Sequence, residues 1–400
     1  NGSYAADALL LQSRTLARVG RYDEAVRVLD RLARDFLYAS VADSARLELV
    51  GILSEAGRYQ ESVQRATRSL EIVERNPFLD PILVQEYLYA QAVALARARE
   101  RDAAKRALLH YAAEFPSAPH TAEVLYALGQ MYKDEGKIEL ATAYLQQAGS
   151  LKQGGDALRD AADLLLESGK YQRAIALYER LDESATTPFE RQYAQSRMIV
   201  ALYRDGKPEE ARSRIDAFRS AWPDAEAALD EFELERGKQF FRNGDYRTAL
   251  DIFDDVEDSD VRAIAAFGTY WTGRCFEAQS RNADAGKRYD AVIRKYPNTE
   301  AALNAMMALA RMSMRAEKYQ EAAAQYKAVV DAGDIPEATL KEAMNGLIRC
   351  YEALRAHDAA LEMTKRFLDT WPSDVTAFRK RVNLGTYYYQ QAYFDQAIAH

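Results

Sequence analysis

Seven basic residues between positions 204 and 349 are the strongest candidates for binding chemistry: Arg204, Lys238, Arg242, Arg274, Arg311, Arg315 and Arg349. Lys238, Arg274, Arg311 and Arg349 follow one another at 36 to 38 residues, and Arg204 and Arg242 are 38 apart. Tyr203, Phe241 and Tyr270 are interleaved with them. A guanidinium offers carboxylates a planar two-toothed fork, and aromatic rings supply area that loses water on contact. The combination suits an extended peptide with acidic side chains or a free C-terminal carboxylate. The same arginines also fit a second reading, in which they pair with acids on neighbouring helices and hold a stack together. On sequence both readings stay open.

Other chemistry is looked for without result. No metalloprotease, nucleophile-elbow, phosphate-loop or dinucleotide motif occurs. The four histidines, His110, His120, His357 and His400, have no metal-ligand spacing. No catalytic residue, metal or cofactor is therefore expected. The net charge is −8 and the pI about 5.4. That speaks against nucleic acid as partner, because such modules carry a basic footprint. No apolar run approaches the roughly 20 residues of a membrane span.

These residues are placed by a period. A glycine or its stand-in recurs at 20, 57, 99, 136, 169, 206, 244, 280, 317, 355 and 392, with a small residue five positions on. Clear copies read Gly20-Arg21-Tyr22-Asp23-Glu24-Ala25 and Gly169-Lys170-Tyr171-Gln172-Arg173-Ala174. A fixed period of this size marks a solenoid, in which each unit contacts its neighbours and no single core limits length. Before Gly136, the residues Leu125, Leu128, Gly129 and Tyr132 fall at i, i+3, i+4 and i+7, one face of a helix. The glycine ends that helix by taking the left-handed conformation. Ala141, Leu145 and Ala148 then continue the apolar stripe on a second helix.

A small residue recurs seven positions before most anchors, and a large one four before, Ser313 excepted. Phe115-Pro116, Trp222-Pro223, Tyr296-Pro297 and Trp371-Pro372 mark the turns between repeats. Proline stops the helix there, and Asp224 and Asn298 are expected to cap the next one. Cys275 and Cys350 occupy equivalent places two repeats apart. At ~10 Å per helix that is about 20 Å, too far for a disulfide, so both are expected as free thiols.

Small residue, large residue, turn glycine, alanine, in that order, resembles the tetratricopeptide repeat across essentially the whole chain. The resemblance implies an all-α fold: an α-solenoid of about ten and a half helix-turn-helix repeats, some twenty-one antiparallel helices, wound as a right-handed superhelix. It implies a non-enzymatic scaffold for a protein or peptide partner. In this family the first helix of each pair lines the concave surface. Residues ten, six, three and two before each anchor then give twelve bases against six acids, including all the residues named above. Adding the residues thirteen before each anchor reduces the excess to one charge. The family's two-lysine, two-asparagine carboxylate clamp is not matched.

The aromatic-proline turn resembles Gram-negative envelope members, such as the lipoprotein of the outer-membrane-protein assembly machine and the Tol–Pal-associated coordinator. That points to a periplasmic or envelope location, with a cytoplasmic adaptor as the alternative and an RNA-binding helical repeat behind it. The chain begins at Asn1-Gly2-Ser3 without Met and stops at His400 soon after an anchor, so both ends read as cuts. Residues 1–400 are expected as one solenoid. Two connectors depart from the pattern: 76–81 carries two prolines, and 149–155 carries three glycines. The second reads as a hinge or as a tight turn.

Overall fold

The computed structural model describes residues 2–35, 40–74, 81–151, 155–333, 335–390 and 397. Two compact units result, residues 1–201 and 202–400. The first holds α1 (Gly2–Arg18), α2 (Tyr22–Asp35), α3 (Ser40–Glu55), α4 (Tyr59–Glu74), α5 (Pro81–Arg97), α6 (Arg101–Glu114), α7 (Thr121–Asp134), α8 (Ile138–Leu151), α9 (Gly155–Glu167) and α10 (Tyr171–Ser184). The unit boundary falls within α11 (Pro188–Arg204). The second unit continues with α12 (Pro208–Ala221), α13 (Glu226–Arg242), α14 (Tyr246–Glu257), α15 (Arg262–Ala278), α16 (Asn282–Lys295), α17 (Glu300–Arg315), α18 (Tyr319–Val330), α19 (Glu337–Ala353), α20 (His357–Thr370) and α21 (Ala377–Gln390). Among the described residues there is no strand.

The hairpins are closed as the period requires. All ten described anchors have positive φ, from Arg355 at 56° to Gly244 at 81°. Four of them, Arg99, Ser280, Glu317 and Arg355, lack glycine and still take the left-handed turn. The amide one past each anchor donates to the carbonyl four before it, as in Arg21 to Leu16 at 2.9 Å and Asp245 to Phe240 at 3.0 Å. This six-residue closure satisfies the last carbonyls of the first helix. The anchor at 392 and the connector at 75–80 lie outside the described residues.

Packing explains the small positions. Ala25, Ser62, Ala104, Ala141, Ala174, Ala211, Ala249, Ala285, Ala322 and Ala360 are all buried. Gly129, Gly237 and Gly273 face Leu145, Phe253 and Tyr289, and an added Cβ would stand 2.6, 2.4 and 2.7 Å from those side chains. These three hairpins thus seat a large residue of the second helix where the first helix has no side chain. The core is accordingly divided: one cluster joins Leu234, Phe253 and Cys275, another Ala266, Tyr289 and Ala305, a third Ala322, Tyr326, Leu347 and Phe367. Cys275 and Cys350 are free and buried, as their spacing requires, and burial pushes the Cys275 thiol up to about 12.

The aromatic-proline turns differ from expectation in one detail. Phe115, Trp222, Tyr296 and Trp371 share φ between −126° and −132° as the residues that follow the ends of their helices. The Trp222 carbonyl accepts from the Ala225 amide at 3.1 Å, which puts Pro223 and Asp224 at the centre of a β-turn. Asp224 therefore does not cap α13; Ala225 stands there, without a side-chain cap. Asn298 takes φ 62°, and Thr299 caps α17 by accepting from the Ala302 amide.

Of the segment 149–155, residues 152–154 lie outside the described residues. Gly149 sits inside α8, where a Cβ would stand 2.6 Å from Leu158. This glycine serves close approach.

Candidate functional site

The seven bases lie on the first helices of the second unit, at the end of α11 and on α13, α15, α17 and α19, and they divide into two groups. Arg204 and Lys238 converge on Glu235, which is 1% exposed. Arg204 Nη2 donates to Glu235 Oε1 at 3.0 Å and Lys238 Nζ to the same oxygen at 3.0 Å. Burial pushes this carboxyl up, but Lys238 and Arg204 together hold it below its ordinary value. Such a centre is structural, because removing a partner leaves a buried charge uncompensated. Glu235 belongs to neither acid set drawn from the sequence. It stands nine residues before its anchor, as do Glu48 and Asp160, which accept from Arg14 and from Tyr126 and Gln130 of the preceding repeat. That recurring position is the signal the sequence offered.

Arg274 belongs mainly with the structural group. Its guanidinium lies 5.7 Å from the Phe241 ring and 5.6 Å from Trp271. It donates to the Tyr270 hydroxyl at 3.2 Å and approaches Glu277 at 3.8 Å. Lys238 Nζ lies 5.8 Å from the Trp271 ring centre. Phe241 meets Trp271 edge-on at 5.1 Å. Trp271 thus organises the cluster and was absent from the residues singled out by period. Tyr203 and Tyr270, expected to face a partner, are 2% and 5% exposed and pack between helices. Phe241 alone of the three is half-buried. Exposed Arg242 donates to the Tyr203 carbonyl at 3.0 Å and to Gln239.

The second group is open. Arg311, Arg315 and Arg349 line a cleft of about 540 Å³ together with Glu277, Met314 and Tyr326. Arg311 pairs with Glu342 at 2.6 Å, both about half exposed. Arg315 pairs with Glu277 and is 65% exposed. Glu277 also accepts from the Tyr289 hydroxyl at 2.8 Å. Arg349 is exposed and has no hydrogen-bond or ion-pair partner among the described residues.

In the first unit the same helix faces carry tyrosine–carboxylate pairs. Tyr89 donates to Glu123 at 2.8 Å and Tyr126 to Asp160 at 2.7 Å. His120 stacks on Tyr89 at 4.0 Å between Glu86 and Glu123. Among the described residues no group of three metal-ligating side chains gathers, and no helix is long and apolar enough to cross a membrane.

Hairpins closed by left-handed anchors, each seating a large residue against a small one, define a helical-repeat solenoid. A family model described as tetratricopeptide repeat matches residues 10–77, 234–300, 276–335 and 307–375, more than half of the chain. The chain belongs to the tetratricopeptide repeat family, whose repeats generally mediate protein–protein interaction. Solved structures similar to it include a tetratricopeptide repeat protein from Parabacteroides merdae, 16% identical, covering 66% of this chain and 97% of that one at a TM-score of 0.38. Another is MamA from Desulfovibrio magneticus, 18% identical, covering 46% of this chain and 97% of that one at a TM-score of 0.36. No curated protein matches the chain.

Proposed function

We propose that the chain is a non-enzymatic scaffold whose second unit receives an acidic segment of a protein partner along its first helices, within a bacterial envelope assembly. The observation that carries this reading is the set of exposed arginines on that face, Arg242, Arg315 and Arg349, with half-exposed Arg311, on a chain whose overall charge is −8. Exposed positive charge on one face raises association rates with an acidic partner, over a screening length of about 8 Å at physiological ionic strength. The envelope placement rests on the aromatic-proline turns.

The test is cross-linking in cells that carry the protein natively, followed by mapping of the linked residues and a salt series on the recovered complex. Cross-links on α13, α15, α17 and α19, with affinity falling steeply as salt rises, are expected. Cross-links confined to the second helices, or salt-independent binding, would overturn the acidic-segment reading. Fractionation separates an envelope protein from a cytoplasmic adaptor.

A further inference from the structure

We propose that the cleft lined by Arg311, Arg315 and Arg349 is a carboxylate-receiving site that works by partner exchange, with Glu342 and Glu277 holding two of its arginines until a ligand carboxylate arrives. The inference rests on the reading of an acidic protein segment and names where its carboxylate goes.

The three guanidinium groups differ in how firmly they are held. Arg349, on α19, lines the cleft, is exposed, and is the first contact. Arg311 is tied to Glu342 by a pair that is 42% and 49% exposed, so water screens it and a ligand carboxylate replaces it at little cost. Arg315 is released without leaving a bare charge behind. Its partner Glu277 keeps the Tyr289 hydroxyl at 2.8 Å and Arg274 at 3.8 Å after Arg315 turns away. The contrast is Glu235, whose two cations cannot leave a buried carboxylate without compensation. The geometry therefore separates ligand-available arginines from structural ones.

The wall and floor of the cleft narrow the ligand. Met314 and Tyr326 are apolar neighbours for a side-chain stem. Glu277 remains in the wall as a fixed negative charge. The site thus suits the glutamate or aspartate of an extended segment whose neighbouring residues are apolar.

The probe is a fluorescein-labelled, C-terminally amidated peptide of six residues alternating Glu and Leu, followed by fluorescence anisotropy. Wild-type chain binds it, and a Gln-Leu version does not bind. Arg349→Gln weakens binding about fivefold to tenfold, the size of one lost charge-assisted hydrogen bond. Arg294→Gln, an exposed arginine on second helix α16, leaves it unchanged. Glu342→Gln strengthens binding about twofold, because Arg311 loses the partner that competes with the ligand. This gain cannot come from misfolding. Absence of peptide binding to wild-type chain, an Arg349→Gln variant that binds equally well, or a Glu342→Gln variant that fails to bind more tightly would each overturn the proposal. Peptide binding that is independent of Arg349 while cellular cross-links still fall on the first helices sinks the cleft and leaves the wider reading standing.

Discussion

Replacing Gly237 with Ala is expected to loosen the α13–α14 hairpin although it improves helix propensity. The added methyl would stand 2.4 Å from Cε1 of Phe253 and 2.9 Å from Cδ1 and Cζ. Favourable carbon contacts lie at roughly 3.5–4.0 Å, so the ring must retreat by about 1 Å. It has nowhere to go: Phe253 is fully buried, and Trp271 stacks 6.0 Å away. Overpacking of this kind costs ~1–3 kcal/mol, and the helix preference for Ala over Gly returns about 1 kcal/mol of it. A net loss of up to about 2 kcal/mol follows, which for a cooperative block of 150–250 residues lowers the melting temperature by as much as ~8 °C. Gly286 on α16 is the control, since nothing lies within 4 Å of its added Cβ. There the propensity term acts alone, and Gly286→Ala should melt a few degrees higher. Circular dichroism during heating reads both. In the Gly237→Ala background, Phe253→Leu should cost less than it does in the wild type, a coupling that marks direct contact. If Gly237→Ala melts at or above the wild type, the missing methyl does not set the helix separation and the packing argument fails.

The left-handed anchors without glycine give a second test: Glu317→Gly and Arg355→Gly relieve φ of 59° and 56° and should each raise stability by roughly 0.5–1 kcal/mol in urea unfolding. Ala174→Leu on α10 fills a site that is 0% exposed and should lower stability by ~1–3 kcal/mol, read from the same titration. Glu235→Gln strips Arg204 and Lys238 of their shared carboxylate and should melt well below the wild type at pH 7. The folded carboxyl lies below its ordinary value, so its contribution is present above about pH 4.3 and is lost as the pH falls through the depressed value. The gap between variant and wild type should therefore close on acidification, and a gap that widens would refute the assignment.

Period made the fold legible even where composition did not. Arg99, Ser280, Glu317 and Arg355 take the left-handed turn because the hairpin needs a residue there, whatever its type. The side chains of the candidate face were harder to read. Spacing places Tyr203, Tyr270 and Arg349 alike on first helices, but it does not say how closely the next repeat lies over each. Tyr203 and Tyr270 are covered, and Arg349 is open. Lys238 is one helical turn from Glu235, but the second partner, Arg204, sits 31 residues earlier, a distance that only the stacking register turns into contact. Asp224 and Asn298 miss the capping positions of α13 and α17 for a local reason, since each follows proline into the turn itself.

The short closures have a consequence for how the chain comes into being. Within each unit the principal contacts of a helix are with those one or two places along the sequence. A ribosome adds about 5–20 residues per second, so a repeat of about 37 residues takes roughly 2–7 s to emerge. Helical elements with local contacts form in microseconds to milliseconds. Each hairpin is therefore complete long before its successor is synthesised, and it docks onto a finished neighbour. At any moment the growing end shows one unmatched face, one hairpin wide, however long the array grows.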